Sequence, residues 1–251
     1  MRTDAPTCCA DRRSPLRAPR CERWRMRISA VVFDFDGLIL DTESTDFQAW
    51  QEVFAAHGCE LGLEVWADCI GRPSGYFDPY DHLERLHGAP IDRARIDAQR
   101  RGRLRKLNLR QPILPGVVDY LRAARGMALK IGLASSADRA WVHGHLERLG
   151  LLGYFDATKC VEDTGAHKPD PGPYLAVLDT LDVAPGGAVA FEDSPPGIAA
   201  AKAAGMWCVA VPNPITRQLH LGRADCLLES LAAMPLRTLL AQLDGAEASE
   251  P

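Results

Sequence analysis

Two aspartates, Asp34 and Asp36, follow an apolar run over residues 28–33 and precede Gly37. A single aspartate at the end of a strand is ordinarily a turn or capping residue. Two carboxylates this close together concentrate negative charge that a divalent cation would neutralise. The pair therefore points to a cation site at the end of a strand, while a capping role for either aspartate alone stays open.

A second acidic pair, Glu192 and Asp193, follows the apolar run over residues 188–191. The Ser-Pro-Pro-Gly segment that comes next predicts the start of a helix, which does not account for adjacent carboxylates. Four carboxylates at one edge of a sheet coexist only if a cation neutralises them or their pKa values rise. Ligands that are all oxygen favour Mg²⁺ over zinc.

Hydroxyl and ammonium groups occur in two further segments. Ser135 and Ser136 follow the apolar run over residues 128–134, where a serine can cap a helix or help to hold a phosphate. Lys168 precedes Pro169, which predicts an extended backbone at the lysine. A lysine ordered in this way suits a fixed positive charge facing an oxyanion, although a loop lysine is more commonly idle and solvated.

The elements that carry these residues alternate between two hydrophobic patterns. Alternating strands and helices predict βαβ units and a parallel sheet, which is a doubly wound, Rossmann-like α/β fold with its site at the carboxyl ends of the strands. We also expect residues 229–243 to form a single amphipathic helix. Short apolar runs predict strands over residues 28–33, 128–134, 188–191, 207–211 and 224–228, and helical periodicity predicts helices over 117–125, 139–149, 173–181 and 197–204.

Two segments depart from this alternation. Residues 43–110 show no convincing strand and predict an inserted helical cap domain, so that the α/β core comprises residues 28–42 and 111–244. Within the insert, the basic run of Arg100, Arg101, Arg103, Arg105 and Lys106 predicts a solvated helix face. Residues 1–27 are rich in arginine and proline and predict a disordered tail.

Composition limits the classes of function. The chain has 251 residues and a formal net charge of −4, so no global basic field points to a nucleic-acid partner. No apolar run reaches the length of a membrane span, and we expect no membrane partner. The eight cysteines form no CxxC motif, which indicates reduced thiols and predicts a cytoplasmic protein. The oligomeric state is not readable from these features.

The order of these motifs is the basis of a family resemblance. From about residue 30 to 243 the chain resembles the haloacid dehalogenase-like hydrolase superfamily, and within it the β-phosphoglucomutase-like sugar phosphatases. The helical insert resembles the cap domain of that family. The matching segments are Asp34-Phe-Asp36-Gly37 with Leu38-Ile-Leu-Asp41-Thr42-Glu43, then Ser135, then Lys168-Pro169, then Glu192-Asp193-Ser194.

The resemblance implies a role for each of the four catalytic positions. Asp34 would be the nucleophile that forms an aspartyl-phosphate. Asp36 would protonate the leaving oxygen and later activate water. Ser135 and Lys168 would bind the phosphoryl oxygens.

The resemblance also implies the groups that hold the cation and the substrate. Mg²⁺ would be held by Asp34, the main-chain carbonyl of Asp36, and Asp193, with Glu192 close by. The positions expected to contact a small phosphorylated metabolite are Gly37, Ser136 and Arg72.

Departures from the family pattern favour one activity. Dehalogenases and phosphonatases lack an acid at the position of Asp36, which argues against both reactions. A mutase would have His, Lys and Arg where this chain has Asp46, Ile70 and Ser74, although Arg72 could replace the lost phosphate contact. These residues favour a phosphatase acting on a sugar phosphate. A hexose-phosphate mutase and a non-catalytic, phosphate-sensing relative remain open alternatives.

Overall fold

One parallel sheet organises the chain, of which the computed structural model describes Met1, residues 28–70 and residues 77–246. The six strands have the order β3-β2-β1-β4-β5-β6, so the prediction of a doubly wound α/β fold is confirmed. The strands are β1 (Ala30–Phe33), β2 (Lys130–Ala134), β3 (Ala157–Lys159), β4 (Ala188–Glu192), β5 (Trp207–Ala210) and β6 (Cys226–Leu227).

Helices cover both faces of the sheet. They are α5 (Val117–Gly126), α6 (Arg139–Arg148), α7 (Val161–Thr164), α8 (Gly172–Leu181), α9 (Pro195–Ala203) and α10 (Leu236–Ala246). The face that packs against α5, α6 and α10 carries large side chains such as Phe33 and Phe191. The face that packs against α8 and α9 is rich in alanine, for example Ala188 and Ala190, which lets these helices approach closely.

A separate group of helices lies between β1 and α5. These helices are α1 (Thr42–Ala56), α2 (Leu63–Ile70), α3 (Pro79–His87) and α4 (Arg93–Asn108). They enclose their own hydrophobic cluster, which includes Trp50, Phe54 and Leu83 and is joined by Ile215 from the sheet side. This cluster supports the proposal that residues 43–110 form a cap domain.

Several predicted boundaries were wrong for local reasons. Residues 229–243 do not form one helix, because Pro235 precedes α10 and a short 3-10 turn, Leu231–Ala233, stands before it. β2 begins two residues late, since Ala128 has a left-handed φ of 56°. β3 was missed altogether because it has three residues and only one of them is buried.

Other expectations concern the thiols and the ends of the chain. Cys59, Cys160, Cys208 and Cys226 are free thiols. None of the helices in the described parts of the chain combines the length and apolar character that crossing a bilayer requires. Apart from Met1, the predicted tail over residues 1–27 lies outside the described residues.

Candidate active site

The acidic pairs meet at the centre of the sheet, where the strand order reverses between β1 and β4. Asp34 follows β1, Glu192 ends β4, and Phe33 lies in register with Phe191. The Asp34 amide donates to the Phe191 carbonyl at 3.0 Å, which continues the ladder to the end of the strand. Ligands bind at such switch points in open α/β sheets because the adjacent crossovers diverge there and leave a crevice.

Lys168 lies between the two acidic pairs. Its Nζ donates to Asp34 Oδ1 at 2.6 Å and to Glu192 Oε1 at 2.5 Å, and its side chain is only 7% exposed. Burial alone would lower the pKa of Lys168, but the two carboxylates outweigh it and raise that pKa above its ordinary value. The lysine therefore stays charged and neutralises part of the acidic cluster.

Ser136 helps to position this lysine. The Lys168 amide donates to Ser136 Oγ at 3.0 Å, and the following peptide bond to Pro169 is cis. In the structure the Ser136 hydroxyl accepts from the Lys168 amide, and its predicted contact with substrate stays a prediction. Ser135 directly follows β2, is almost fully buried, and accepts a hydrogen bond from the Ala137 amide at 3.0 Å.

Glu192 is completely buried and only partly satisfied. The Tyr174 hydroxyl donates to Glu192 Oε1, which Lys168 also contacts, while Oε2 has no partner. Burial is the largest cause that raises the pKa of Glu192, to about 7. Gly197 allows this packing, because a Cβ there would lie 1.9 Å from Glu192 Oε2.

Asp193 is held by an asparagine that sequence reasoning did not single out. Asn213 Nδ2 donates to Asp193 Oδ2 at 2.7 Å and to the Gly37 carbonyl at 3.4 Å. Gly37 has a φ of 79°, and a Cβ there would lie 2.1 Å from Asp193 Oδ2. The glycine is thus required both by the turn and by the close approach of Asp193.

Three of the four predicted carboxyl groups come together. Oxygen atoms of Asp34, Glu192 and Asp193 lie within 4.8 Å of one another, and all three residues are buried. Burial and the neighbouring carboxylates raise the pKa of Asp193. The orphaned Glu192 Oε2 and the all-oxygen donor set fit a hard divalent cation such as Mg²⁺.

The Asp36 carboxyl is not part of this group. It accepts a hydrogen bond from the Trp141 indole, with 3.0 Å between Nε1 and Oδ1. Burial, followed by the charge of Asp34, raises the pKa of Asp36 to about 6. A carboxyl poised in this way can exchange a proton near neutral pH.

The cap side of the site is acidic. Burial, with the charges of Asp36 and Asp46 next in size, raises the pKa of Glu43 to about 8. Asp46 Oδ1 accepts from Arg100 Nη1 at 2.6 Å, and that guanidinium stacks over Trp50. The prediction of a wholly solvated basic face was therefore wrong at Arg100, whose side chain is 15% exposed.

Several residues that contact the candidate site have no recognisable pattern in the sequence, and two of the residues named from the sequence lie where the structure is not described. Arg72 and Ser74 lie outside the described residues. The neighbours that the sequence did not reveal are Arg100, Trp141, Tyr174, Gly197 and Asn213, each of which reaches the site through tertiary contacts.

Comparison with known proteins places this arrangement in a family. The family model for haloacid dehalogenase-like hydrolases matches residues 28–205. The chain is 44% identical over 217 residues to a Bacillus subtilis protein named "Putative phosphatase YhcW", covering 86% of this chain and 98% of that protein. It is 30% identical over 185 residues to fructose-1-phosphate phosphatase YqaB of Escherichia coli, covering 74% of this chain and 97% of that one.

A solved structure agrees with the sequence relatives. The fold matches a Thermotoga maritima protein described as a "putative beta-phosphoglucomutase", with a TM-score of 0.68 and 27% identity over 86% of this chain and 99% of that one. The family match covers most of the residues that form the sheet and the buried carboxylates. The chain therefore belongs to the haloacid dehalogenase-like hydrolases and, within them, to the β-phosphoglucomutase-like phosphatases.

Proposed function

We propose that this protein is a Mg²⁺-dependent phosphatase that hydrolyses a small sugar phosphate through an aspartyl-phosphate on Asp34. The observation that carries the proposal is the position of Lys168, which joins Asp34 to Glu192 beside the Asp193 carboxylate. The proposed nucleophile, a fixed positive charge and a set of oxygen ligands thus lie in one buried cluster, which supports the proposal. In phosphoryl transfer, positioning of the reacting groups and neutralisation of charge account for most of the catalysis.

In the first half of the reaction the Asp34 carboxylate attacks phosphorus, and the ester oxygen leaves with a proton from Asp36. In the second half Asp36, now a carboxylate, takes a proton from the water that attacks the aspartyl-phosphate. Inorganic phosphate leaves and both aspartates return to their starting states. The raised pKa of Asp36, about 6, suits both directions of this proton transfer.

Asp34, Asp193 and the main-chain carbonyl of Asp36 would hold the cation, with Glu192 adjacent to it. When bound, Mg²⁺ supplies positive charge that offsets the phosphoryl oxygens and the clustered carboxylates. Lys168, which contacts both Asp34 and Glu192, contributes the same kind of charge. Ser135, at the end of β2, is the residue we assign to a phosphoryl oxygen.

The charge around the site favours a sugar monophosphate. Lys168 lies on the core side. The cap side offers the carboxyl group of Glu43, which is mainly protonated at neutral pH because its pKa is raised to about 8, and that of Asp46, which is paired with Arg100. Neither carboxyl group offers positive charge to a second phosphate, whereas both can form hydrogen bonds with the hydroxyl groups of a sugar. The relative named for fructose 1-phosphate supports a substrate of this class.

The test is phosphate release from a panel of phosphorylated sugars and polyols, measured with and without Mg²⁺. We expect Mg²⁺-dependent release from at least one sugar phosphate. Asp34→Asn, which keeps the shape and removes the attacking charge, should lower turnover at least ~10³-fold. Turnover by Asp34→Asn within a few-fold of wild type would exclude the aspartyl-phosphate. No release from any ester would favour the non-catalytic, phosphate-sensing alternative.

A coupled assay separates the phosphatase from a hexose-phosphate mutase. A mutase must retain a bisphosphate, and here Asp46 replaces a histidine and already engages Arg100. The lysine and arginine of a mutase correspond to Ile70 and Ser74 here. Loss of these two charged phosphate contacts would weaken binding of the bisphosphate by about two to four orders of magnitude. With glucose 1-phosphate and a bisphosphate activator we expect free phosphate and little glucose 6-phosphate. Faster isomerisation than phosphate release would overturn this, and Arg72 would then be tested as the phosphate contact.

A further inference from the structure

We propose that Trp141, His145 and Arg148 act together as a positioning device that couples the Asp36 carboxyl to the linker between α4 and α5. The proposal rests on the proposed function only in treating Asp36 as the proton donor. The three residues occupy positions i, i+4 and i+7 of α6, so they share one face of that helix. We call these three side chains the relay.

One end of the relay holds the catalytic carboxyl. Trp141 Nε1 donates to Asp36 Oδ1 at 3.0 Å, across 105 residues of sequence. This directional contact constrains the orientation of the carboxyl group, and a phenylalanine at this position would keep an aromatic ring but could not donate the hydrogen bond. Trp141 thus acts on the reaction through Asp36.

The other end holds the linker where α4 stops. Arg148 Nη2 donates to the Asn108 carbonyl and Nη1 to the Leu109 carbonyl, each at 3.3 Å. These carbonyls belong to the last turn of a helix, which lacks internal donors and attracts a cation. The position of the Arg148 guanidinium therefore depends on where the linker lies relative to α6.

His145 connects the two ends. Its ring lies edge-on to Trp141 at 4.4 Å between centroids, and its Nδ1 is 3.3 Å from Arg148 Nη2. Arg148 has no acceptor, so Nδ1 accepts and the imidazole is neutral. Burial and the charge of Arg148 lower the pKa of His145, which agrees with this assignment.

A cavity lies beside the relay, between the two helices. A cavity of about 410 Å³ separates the second half of α4 from α6, and both Trp141 and Arg148 line it. Across this gap, a movement of the linker would reach α6 through the Arg148 hydrogen bonds. The relay therefore joins the linker to the Asp36 carboxyl, and a change at either end should alter the other.

The first experiment compares two leaving groups in Trp141→Phe. A sugar alkoxide needs the proton from Asp36, whereas 4-nitrophenolate leaves without one. We expect kcat/KM to fall about 10-fold for the best sugar phosphate of the panel and less than about 2-fold for 4-nitrophenyl phosphate, with little change in KM. Equal losses for both esters would show general damage to the site and overturn the positioning role.

A double-mutant cycle tests whether the two ends act together. Arg148→Gln alters only the exposed end and should lower kcat/KM for the sugar phosphate by about 5-fold. Because the residues form one unit, the double variant should be no slower than Trp141→Phe alone. Losses that multiply would mean that the two ends act independently. Arg125→Gln, which removes a comparable arginine–carbonyl contact to Gly153, serves as the matched control and should be near wild type.

Amide hydrogen exchange tests the relay without any substrate, on the full chain. Arg148→Gln should raise exchange about 5-fold in residues 36–41, and Trp141→Phe should do the same in residues 108–114. Arg125→Gln should change neither segment. If each variant affects only its own end, the coupling is refuted. Should the wild type hydrolyse no ester, the proposed function fails while this measurement still decides the inference.

Discussion

The Lys168 ammonium lies 2.6 Å from the Asp34 carboxylate, so the proposed nucleophile is ion-paired in the absence of substrate. The same ammonium contacts Glu192 at 2.5 Å, and none of the three groups has ready access to water. Charges of this kind are costly to bury and are tolerated only when they are matched. We therefore expect the pair to contribute to both stability and catalysis, and the two effects can be measured separately.

Lys168→Met should destabilise the protein as well as inactivate it. Removing the ammonium leaves Asp34 and Glu192 buried without a counter-charge, a loss of about 3–5 kcal/mol. In EDTA we expect Tm to fall by at least about 6 °C. Phosphatase turnover should fall more than ~10²-fold, because the fixed charge facing the phosphoryl oxygens is lost.

Lys202→Met is the matched control for this variant. Lys202 pairs with Asp225 at 2.6 Å, but both side chains are more exposed, at 29% and 23%. Partly solvated pairs contribute about 1 kcal/mol or less. A Lys168→Met protein as stable as Lys202→Met would show that the central pair is not needed for the fold.

Cation removal should abolish activity. Without a cation, the carboxylates of Asp34, Glu192 and Asp193, within 4.8 Å of one another, repel the incoming phosphate. EDTA should stop phosphate release and Mg²⁺ should restore it. Ca²⁺ should restore little, because its looser coordination does not hold in-line geometry. Full activity in EDTA would rule out a metal role.

A thermal measurement checks the same site without substrate. Mg²⁺ should raise the Tm of the wild type, because a ligand that binds only the folded state stabilises it. Asp193→Asn should lose this rise. An equal rise in the variant would place the cation elsewhere.

Gly197→Ala should disturb the site through Glu192. The new Cβ would lie 1.9 Å from Glu192 Oε2, so either the carboxylate or the start of α9 must move. We expect a Tm several degrees lower, although alanine is the better helix former by about 1 kcal/mol. Gly102→Ala, in the middle of α4 with open space around it, is the control and should be neutral or slightly stabilising. An equal change in Tm at both positions would show that the Glu192 carboxylate can move aside without loss of stability.

His145 should make stability depend on pH. Its folded-state pKa is lowered from the ordinary value of 6.5 by burial and by Arg148. Below about pH 6.5 the unfolded chain binds a proton that the folded chain resists, so this residue costs stability as the pH falls. The Tm advantage of wild type over His145→Gln should shrink between pH 7.5 and pH 5. A constant difference across that range would contradict the lowered pKa.

The candidate catalytic and metal-binding residues could be predicted from local sequence patterns. Asp34, Ser135 and Glu192 each follow or end an apolar run, and parallel strands bring their carboxyl ends to one edge whatever the details of packing. Lys168 was predicted because the following Pro169 favours an extended, ordered backbone at the lysine. The helical insert was evident from the absence of alternating strands over residues 43–110.

The contacts that adjust those residues depended on tertiary structure. Trp141 reaches Asp36 from α6, and Asn213 reaches Asp193 from the loop after β5. Tyr174 reaches Glu192 from α8, which lies on the other face of the sheet from α6. Each is an ordinary core or loop residue in its own segment, so no periodicity or spacing marks it. Strand order brings the carboxyl groups to one place. The packing of helices on the sheet then decides which carboxyl oxygens are hydrogen-bonded, which have no partner, and how far each pKa is shifted.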